Sequence, residues 1–187
     1  MKILLVNGYQ KHDFCKGELN FSLYNIMLDK LRHNHDVQLS SVEDYNVIDE
    51  RNKFLWADLI IFQFPIYWFN VPGKLKLYMD EVFEYGQFYS FADVYGQGGL
   101  MKGKEYILST TWNAPEEVFN NPAAFFGGKN VDDVLISFHK TMEFCGLKKR
   151  KTLSFHNVVK NPQFDSYKQK MEDFLLNDLE CKHSVKD

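Results

Sequence analysis

Three short segments carry residue types that could do chemistry together. The first is Pro65-Ile66-Tyr67-Trp68-Phe69, a run of flat, apolar side chains directly behind the apolar stretch Asp58–Phe64. Pro65 ends a strand there, and turns are ordinarily built from Gly, Asn, Asp and Ser, so three successive aromatics in a connecting loop ask for a reason. The second is Thr111-Trp112-Asn113-Ala114, which follows another apolar run and offers amides, a hydroxyl from Thr110 or Thr111, and a further large ring. The third is Cys15-Lys16-Gly17-Glu18-Leu19-Asn20-Phe21-Ser22, where a polar loop enters a helical pattern. Backbone N–H groups at such an entry point can face an anion, and Lys16 adds charge. An anion site at one end and a planar, hydrogen-bonding ring site at the other describe a flavin nucleotide.

Competing chemistries lack their residues. No G-x-G-x-x-G follows the first strand, so the dinucleotide fingerprint is missing. Gly98 to Lys104 imitates a phosphate loop, but Glu105 stands where Ser or Thr would hold magnesium, and the segment leads into a strand rather than a helix. The histidines show no metal-ligand spacing, there is no G-x-S-x-G elbow, and Cys15 has only His12 nearby as a possible base. His139, between Phe138 and Met142 on a helical face, reads as a satisfied structural histidine. Lys148–Lys151 reads as a short solvated basic turn.

The elements that would position these loops follow from periodicity. Lys2–Val6, Val37–Ser40, Asp58–Phe64, Glu105–Thr111 and Lys151–Phe155 read as strands. Glu18–Arg32, Asp49–Trp56, a segment from Pro72 with Asn70 as cap, Val131–Cys145 and Phe164–Leu179 read as helices. Alternation of the two implies a parallel sheet covered on both faces, a three-layer α/β/α sandwich in one domain spanning 1–187; right-handed crossovers leave few topologies, and strand order 2-1-3-4-5 is the commonest at this size. In such sheets ligands sit beyond the carboxyl ends of the strands at the switch in strand order. Residues 7–17, 65–71 and 111–130 leave those ends, and they contain all three segments.

The formal net charge of −3 gives no reason to expect nucleic acid as a partner. The sequence has no apolar run approaching the ~20 residues of a membrane span. Cys15, Cys145 and Cys181 are odd in number and widely spaced, which suits reduced thiols in the cytoplasm.

The strand–loop–helix FQFPIYWFNVPGKLKLYMDEVF resembles that of the DT-diaphorase superfamily of flavodoxin-like quinone reductases. NGYQKHDFCKGELN, FLWADLIIFQFP, YGQGGLMKGKEY, TTWNAPEEVF and SFHKTMEFCG, in that order along most of the chain, make it similar to the branch called modulator of drug activity B. The resemblance implies a cytosolic homodimer with FAD rather than FMN at the subunit interface, reducing quinones by two electrons from NADPH or NADH. By matched position, Cys15–Ser22 would hold the diphosphate and ribose side. Pro65, Ile66, Tyr67, Trp68 and Phe69, with Thr111, Trp112, Asn113 and Ala114, would contact the ring, and Tyr95 would reach the cofactor from the aromatic loop 86–103. Cys15 stands where the family usually has a hydroxyl side chain, and no side-chain acid or base is assigned. Trp68, Phe69, Tyr95, Phe125 and Phe126 are candidates for the slot shared by nicotinamide and quinone, with Phe125 and Phe126 equally readable as a lid or a dimer contact. Alternative readings are a flavin-binding regulatory subunit of a membrane transporter, a one-electron flavodoxin, or an FMN-dependent azo- or nitroreductase. The acid-poor loops count against the one-electron reading.

Overall fold

The computed structural model describes residues 1–180; Cys181 and His183 lie outside the described residues. Five parallel strands form one sheet in the order β2-β1-β3-β4-β5: β1 Lys2–Asn7, β2 Asp36–Ser41, β3 Leu59–Pro65, β4 Glu105–Thr111 and β5 Lys148–Phe155. The expected fold class and strand order hold. Successive side chains of a strand face opposite ways, so each central strand feeds two cores. Leu4, Val6, Ile60, Phe62, Phe64 and Leu108 pack on α2 Val47–Trp56, α3 Gly73–Val82 and α5 Ile136–Phe144. Ile3, Leu5, Leu59, Ile61, Ile107 and Leu153 pack on α1 Glu18–Leu31 and α6 Phe164–Phe174.

Three expectations need correction. Asn70 does not cap α3: Pro72 is the cap residue, and the Asn70 side chain instead accepts from the Val71 amide at 2.8 Å. The segment expected as one helix over Val131–Cys145 is broken at Leu135, leaving a single turn, α4 Val131–Val134, ahead of α5. The break brings together two side chains seven residues apart, which on a straight helix would sit about 10.5 Å apart along the axis. His139 Nε2 and Asp132 Oδ1 are 3.0 Å apart, and Tyr106 Oη lies 2.7 Å from His139 Nδ1. Burial by itself would raise the Asp132 pKa, yet hydrogen bonds from His139 and Lys149 hold it well below the ordinary carboxylate range. His139 is thus fully engaged in structure, as its sequence context suggests.

The third correction concerns Lys148–Lys151, which is the first half of β5 and not a turn. Nothing in its side-chain pattern says strand; the pairing comes from the backbone of β4, with a bulge between Tyr106 and Ile107. Lysines suit an edge strand because they discourage pairing with another chain. Their charges are met by Asp132 for Lys149 and Asp178 for Lys151.

At the carboxyl end of the sheet a buried polar chain crosses three strands and a helix. Asn20 Nδ2 donates to Asn7 Oδ1 at 3.0 Å, Gln63 Nε2 donates to Asn20 Oδ1 at 3.0 Å, and Ser109 Oγ donates to Gln63 Oε1 at 2.6 Å. Gln63 is polar in an otherwise apolar buried strand, and each of these groups would be costly to leave alone. Gln63→Leu, which strands the Asn20 carbonyl and the Ser109 hydroxyl, should lower stability by about 2–4 kcal/mol. Ser109→Ala should cost about 1–2 kcal/mol, both read from urea unfolding with unchanged slope.

Candidate ligand site at the carboxyl edge of the sheet

The loops after β1, β3 and β4 are joined to one another. Gly8 N donates to Gln63 O at 2.8 Å, Ile66 N to Thr111 O at 2.9 Å, and Tyr67 Oη to Gln10 O at 3.1 Å. The aromatic turn after β3 has a defined conformation. Tyr67 and Asn70 exchange backbone hydrogen bonds of 3.0 and 3.1 Å, and the two residues between them, Trp68 and Phe69, lie at φ 49° and 62°. Two successive left-handed residues form the primed type of tight turn, whose usual occupants are Asn and Gly. A bulky side chain there is strained, and strain of this kind is characteristic of functional loops.

The turn leaves the amides of Trp68 and Phe69 without a hydrogen bond among the described residues. The same is true of Asn113 and Ala114 after β4. At the start of α1, the amides of Gly17, Glu18, Leu19 and Asn20 are likewise unbonded, and the cap residue Gly17 offers no side-chain oxygen to cover them. Gly17 is required: it lies at φ 74°, and a Cβ there would come within 2.5 Å of the Tyr9 ring. Tyr9 in turn donates its hydroxyl to the Cys15 carbonyl at 2.6 Å, which fixes the loop ahead of the helix.

The expected site residues divide by what the fold does with them. Trp68 is 93 % exposed, and Phe69 meets Phe125 at 5.4 Å and Phe126 at 5.6 Å between ring centroids. Phe125 is 76 % exposed, whereas Phe126 turns inward and stacks on Phe119 at 4.5 Å. Phe69, Phe125 and Phe126 therefore come together as one aromatic cluster. Pro65 and Thr111 are paired neighbours at the strand ends, and Ile66 and Tyr67 are half-buried beneath the turn. Burial pushes the Tyr67 phenol well above its ordinary value, so it stays protonated.

Other members take roles different from those expected. Trp112 is 1 % exposed and does not offer a ring to the site; its Nε1 donates to Thr110 Oγ1 at 2.8 Å, and its ring packs on Phe119. Its amide is spent on the Phe155 carbonyl at 2.7 Å, so the donors of this segment are those of Asn113 and Ala114. Asn20 keeps its side chain in the buried polar chain and presents only its amide. The Ser22 hydroxyl returns to the Glu18 carbonyl at 2.8 Å. Phe21 stands edge-on to Tyr9 at 5.3 Å, Leu19 is half-buried against the core, and Lys16 and Glu18 are exposed. Tyr95 is not brought to the aromatic turn of its own chain: it is 94 % exposed and meets Phe144 of α5 at 5.7 Å. Its loop is anchored by Gly99, where a Cβ would fall 2.3 Å from the Gly146 nitrogen. Gly98 and Gly99 are thus packing glycines, in keeping with the rejection of a phosphate loop.

Gln63 and His156 are not legible as site residues in sequence. For Gln63 there is one signal, a lone polar residue inside an apolar strand. For His156 there is none, because the Ala114 carbonyl it holds comes from the loop after β4. It is 7 % exposed, with Nδ1 3.1 Å from the Ala114 carbonyl and Nε2 2.9 Å from Ser154 Oγ.

The chain belongs to the flavodoxin-like fold family (Flavodoxin_2), which matches residues 1–175. Within reach of this family member is the NADPH:quinone oxidoreductase MdaB of Haemophilus influenzae, 38 % identical over 179 residues, covering 89 % of this chain and 93 % of that protein. Human ribosyldihydronicotinamide dehydrogenase [quinone] is 38 % identical over 106 residues, 55 % of this chain and 43 % of that one. A Klebsiella pneumoniae crystal structure, solved as a candidate quinone reductase, superposes with a TM-score of 0.75 at 25 % identity, covering 94 % of this chain and 83 % of that one. An FMN complex of general stress protein 14 from Treponema denticola has a TM-score of 0.69 at 22 % identity over 99 % of both chains, a likeness of fold alone.

Two outcomes are expected from this geometry. Because Trp68 is exposed and left-handed, Trp68→Gly should raise stability by about 0.5–1 kcal/mol in urea unfolding, a gain expected where strain is kept for function. His156 is shifted downward mainly by burial, with the Ala114 bond, Glu116 and Glu117 opposing and Lys170 assisting. The unfolded chain therefore binds the proton more readily. The stability this residue contributes is complete above about pH 6.5 and declines as pH falls through that value toward the folded pKa. Wild type should lose more stability than His156→Asn between pH 7.5 and 5.5.

Proposed function

We propose that this protein is a flavin-dependent NAD(P)H:quinone oxidoreductase. The observation that carries the reading is the strained Tyr67–Asn70 turn, whose two free amides stand beside exposed aromatic rings in a chain 38 % identical to an NADPH:quinone oxidoreductase over nearly its whole length. Unbonded amides at Gly17–Asn20, with the aligned dipole of a 14-residue helix behind them, suit the phosphates of a flavin nucleotide. The amides of Trp68, Phe69, Asn113 and Ala114 suit the hydrogen-bonding edge of its ring. The residues present therefore fit the group, with FAD preferred to FMN on the resemblance of the sequence motifs.

When bound, the flavin supplies the ring nitrogen that takes and gives hydride, so no side chain need act as acid or base at that centre. The protein's part is to hold and to shield. Amide donors at the ring edge favour a reduced ring bearing negative charge, and fixed donors need no rearrangement as that charge develops. Trp68, Phe69 and Phe125 form the apolar flank on which a nicotinamide, then a quinone, would stack; Tyr95 would join it only from a second copy of the chain in a homodimer. We place the reaction in the cytoplasm, with NADPH or NADH as donor and small quinone-like molecules as acceptors.

Heat-released chromophore should run as FAD in chromatography; FMN would move the protein toward azoreductase-like chemistry, and a protein with no affinity for either would end the flavin reading. With NADPH or NADH and menadione, initial rates should give the parallel lines of ping-pong kinetics. Trp68→Ala should reduce kcat/KM for menadione roughly tenfold, the order of one lost aromatic stacking contact, while Trp56→Ala leaves it within about twofold. Equal losses in the two variants would remove Trp68 from the site.

A further inference from the structure

His156 is buried, titratable, and has no part in the reaction outlined above. Between Trp112 and Pro115 the backbone is held at both ends. Trp112 is locked to β5 and its continuation by Trp112 N to Phe155 O at 2.7 Å and Val158 N to Trp112 O at 3.1 Å. Pro115 has a fixed φ and keeps the residue before it extended. The two residues between, Asn113 and Ala114, carry the free amides. The fastening of that span among the described residues is the Ala114 carbonyl, which accepts from His156 Nδ1 at 3.1 Å and from Asn157 N at 3.4 Å.

The tautomer follows from the partners. A carbonyl only accepts, so Nδ1 carries the hydrogen, and Nε2 is left to accept from the Ser154 hydroxyl at 2.9 Å. Trp112 lies nearly parallel to the imidazole, with centroids 6.3 Å apart and a 19° tilt, and Phe119 meets it at 5.2 Å. The ring is therefore fixed in plane by packing and in rotation by its two hydrogen bonds. A small polar cavity of about 180 Å³ adjoins it, lined by Glu116, Asn120, Asp132, Thr152 and Ser154. Downward displacement of the His156 pKa by burial agrees with a neutral ring.

We propose that His156 is the positioning residue for the donor edge of the site: oriented by Ser154, its Nδ1–H clamps the Ala114 carbonyl and so aims the Asn113 and Ala114 amides at the ligand. This deepens the flavin reading and rests on it for the identity of that ligand, though the clamp itself is a property of the chain. His156 touches no reacting atom; it acts through two backbone amides.

Two isosteric replacements separate the clamp from simple packing. His156→Asn retains an N–H donor near the place of Nδ1, whereas His156→Gln carries its donor near the place of Nε2; His156→Phe keeps the ring and removes both. In flavin-free protein, ¹⁵N relaxation should show Asn113 and Ala114 amides losing order in the Gln and Phe variants and keeping it in Asn. Titration with FAD and with FMN, followed by fluorescence, should show roughly tenfold weaker binding for Gln and Phe and a change within about twofold for Asn, the scale of one hydrogen bond. Asn and Gln variants that behave alike, or amides as ordered in Phe as in wild type, would overturn the proposal. Unfolding in urea distinguishes a general loss of stability, which would affect all three variants without following the donor's place. If wild type binds neither flavin while the amides still respond to Gln and not to Asn, the flavin reading fails and the clamp stands.

Discussion

The architecture of the site depends on one buried hydrogen-bonded chain, from Asn7 on β1 through Asn20 on α1 and Gln63 on β3 to Ser109 on β4. Four polar side chains removed from water must satisfy one another, and they do so only if three strand ends and one helix N-terminus are in register. The consequence is geometric. The free amides of Gly17–Asn20, Trp68–Phe69 and Asn113–Ala114 belong to loops that start within a few residues of this chain, so their mutual placement is inherited from it. An apolar core alone would tolerate small slides of α1 along the sheet; a chain of directional bonds does not.

Above that foundation the site is built from backbone more than from side chains. The aromatic turn carries the clearest mark of this. Asn and Gly would adopt its conformation with little strain, but Trp68 and Phe69 occupy it, so the gain must lie in what the rings do outside the turn. Phe69 is drawn into the cluster with Phe125 and Phe126, while Trp68 remains outward. Flat apolar surface beside unspent amides is the chemistry that the proposed flavin ring would require. Few charged groups are needed for that, and few are found there.

Much of this was legible in the chain itself, and the failures have physical causes. Continuous apolar runs announce buried parallel strands, and these brought out the strands, the three loops and the oddity of the aromatic turn. Trp112, a large ring beside Thr and Asn at a strand end, reads as a ring offered to the site. Which way it turns depends on Phe119 and His156, delivered by other segments. Lys148–Lys151, a run of basic residues just past a helix end, reads as a solvated turn; pairing with β4 makes it strand regardless. The break at Leu135 was invisible because apolar periodicity continues through it, and that periodicity does not record the contact the break permits between His139 and Asp132.

By itself the sequence determined the class of the fold and the three loops that leave the carboxyl ends of its strands. These depend on local pattern: continuous apolar runs, helical spacing, and aromatics where a turn would not ordinarily have them. Only the tertiary structure decided which amides remain free, that Trp112 faces inward while Trp68 faces out, that Tyr95 lies away from its own chain's turn, and that His156 holds Ala114. Each is a question of which groups find partners across the fold. Those partners come from segments distant in sequence, and no local pattern records which of them meet.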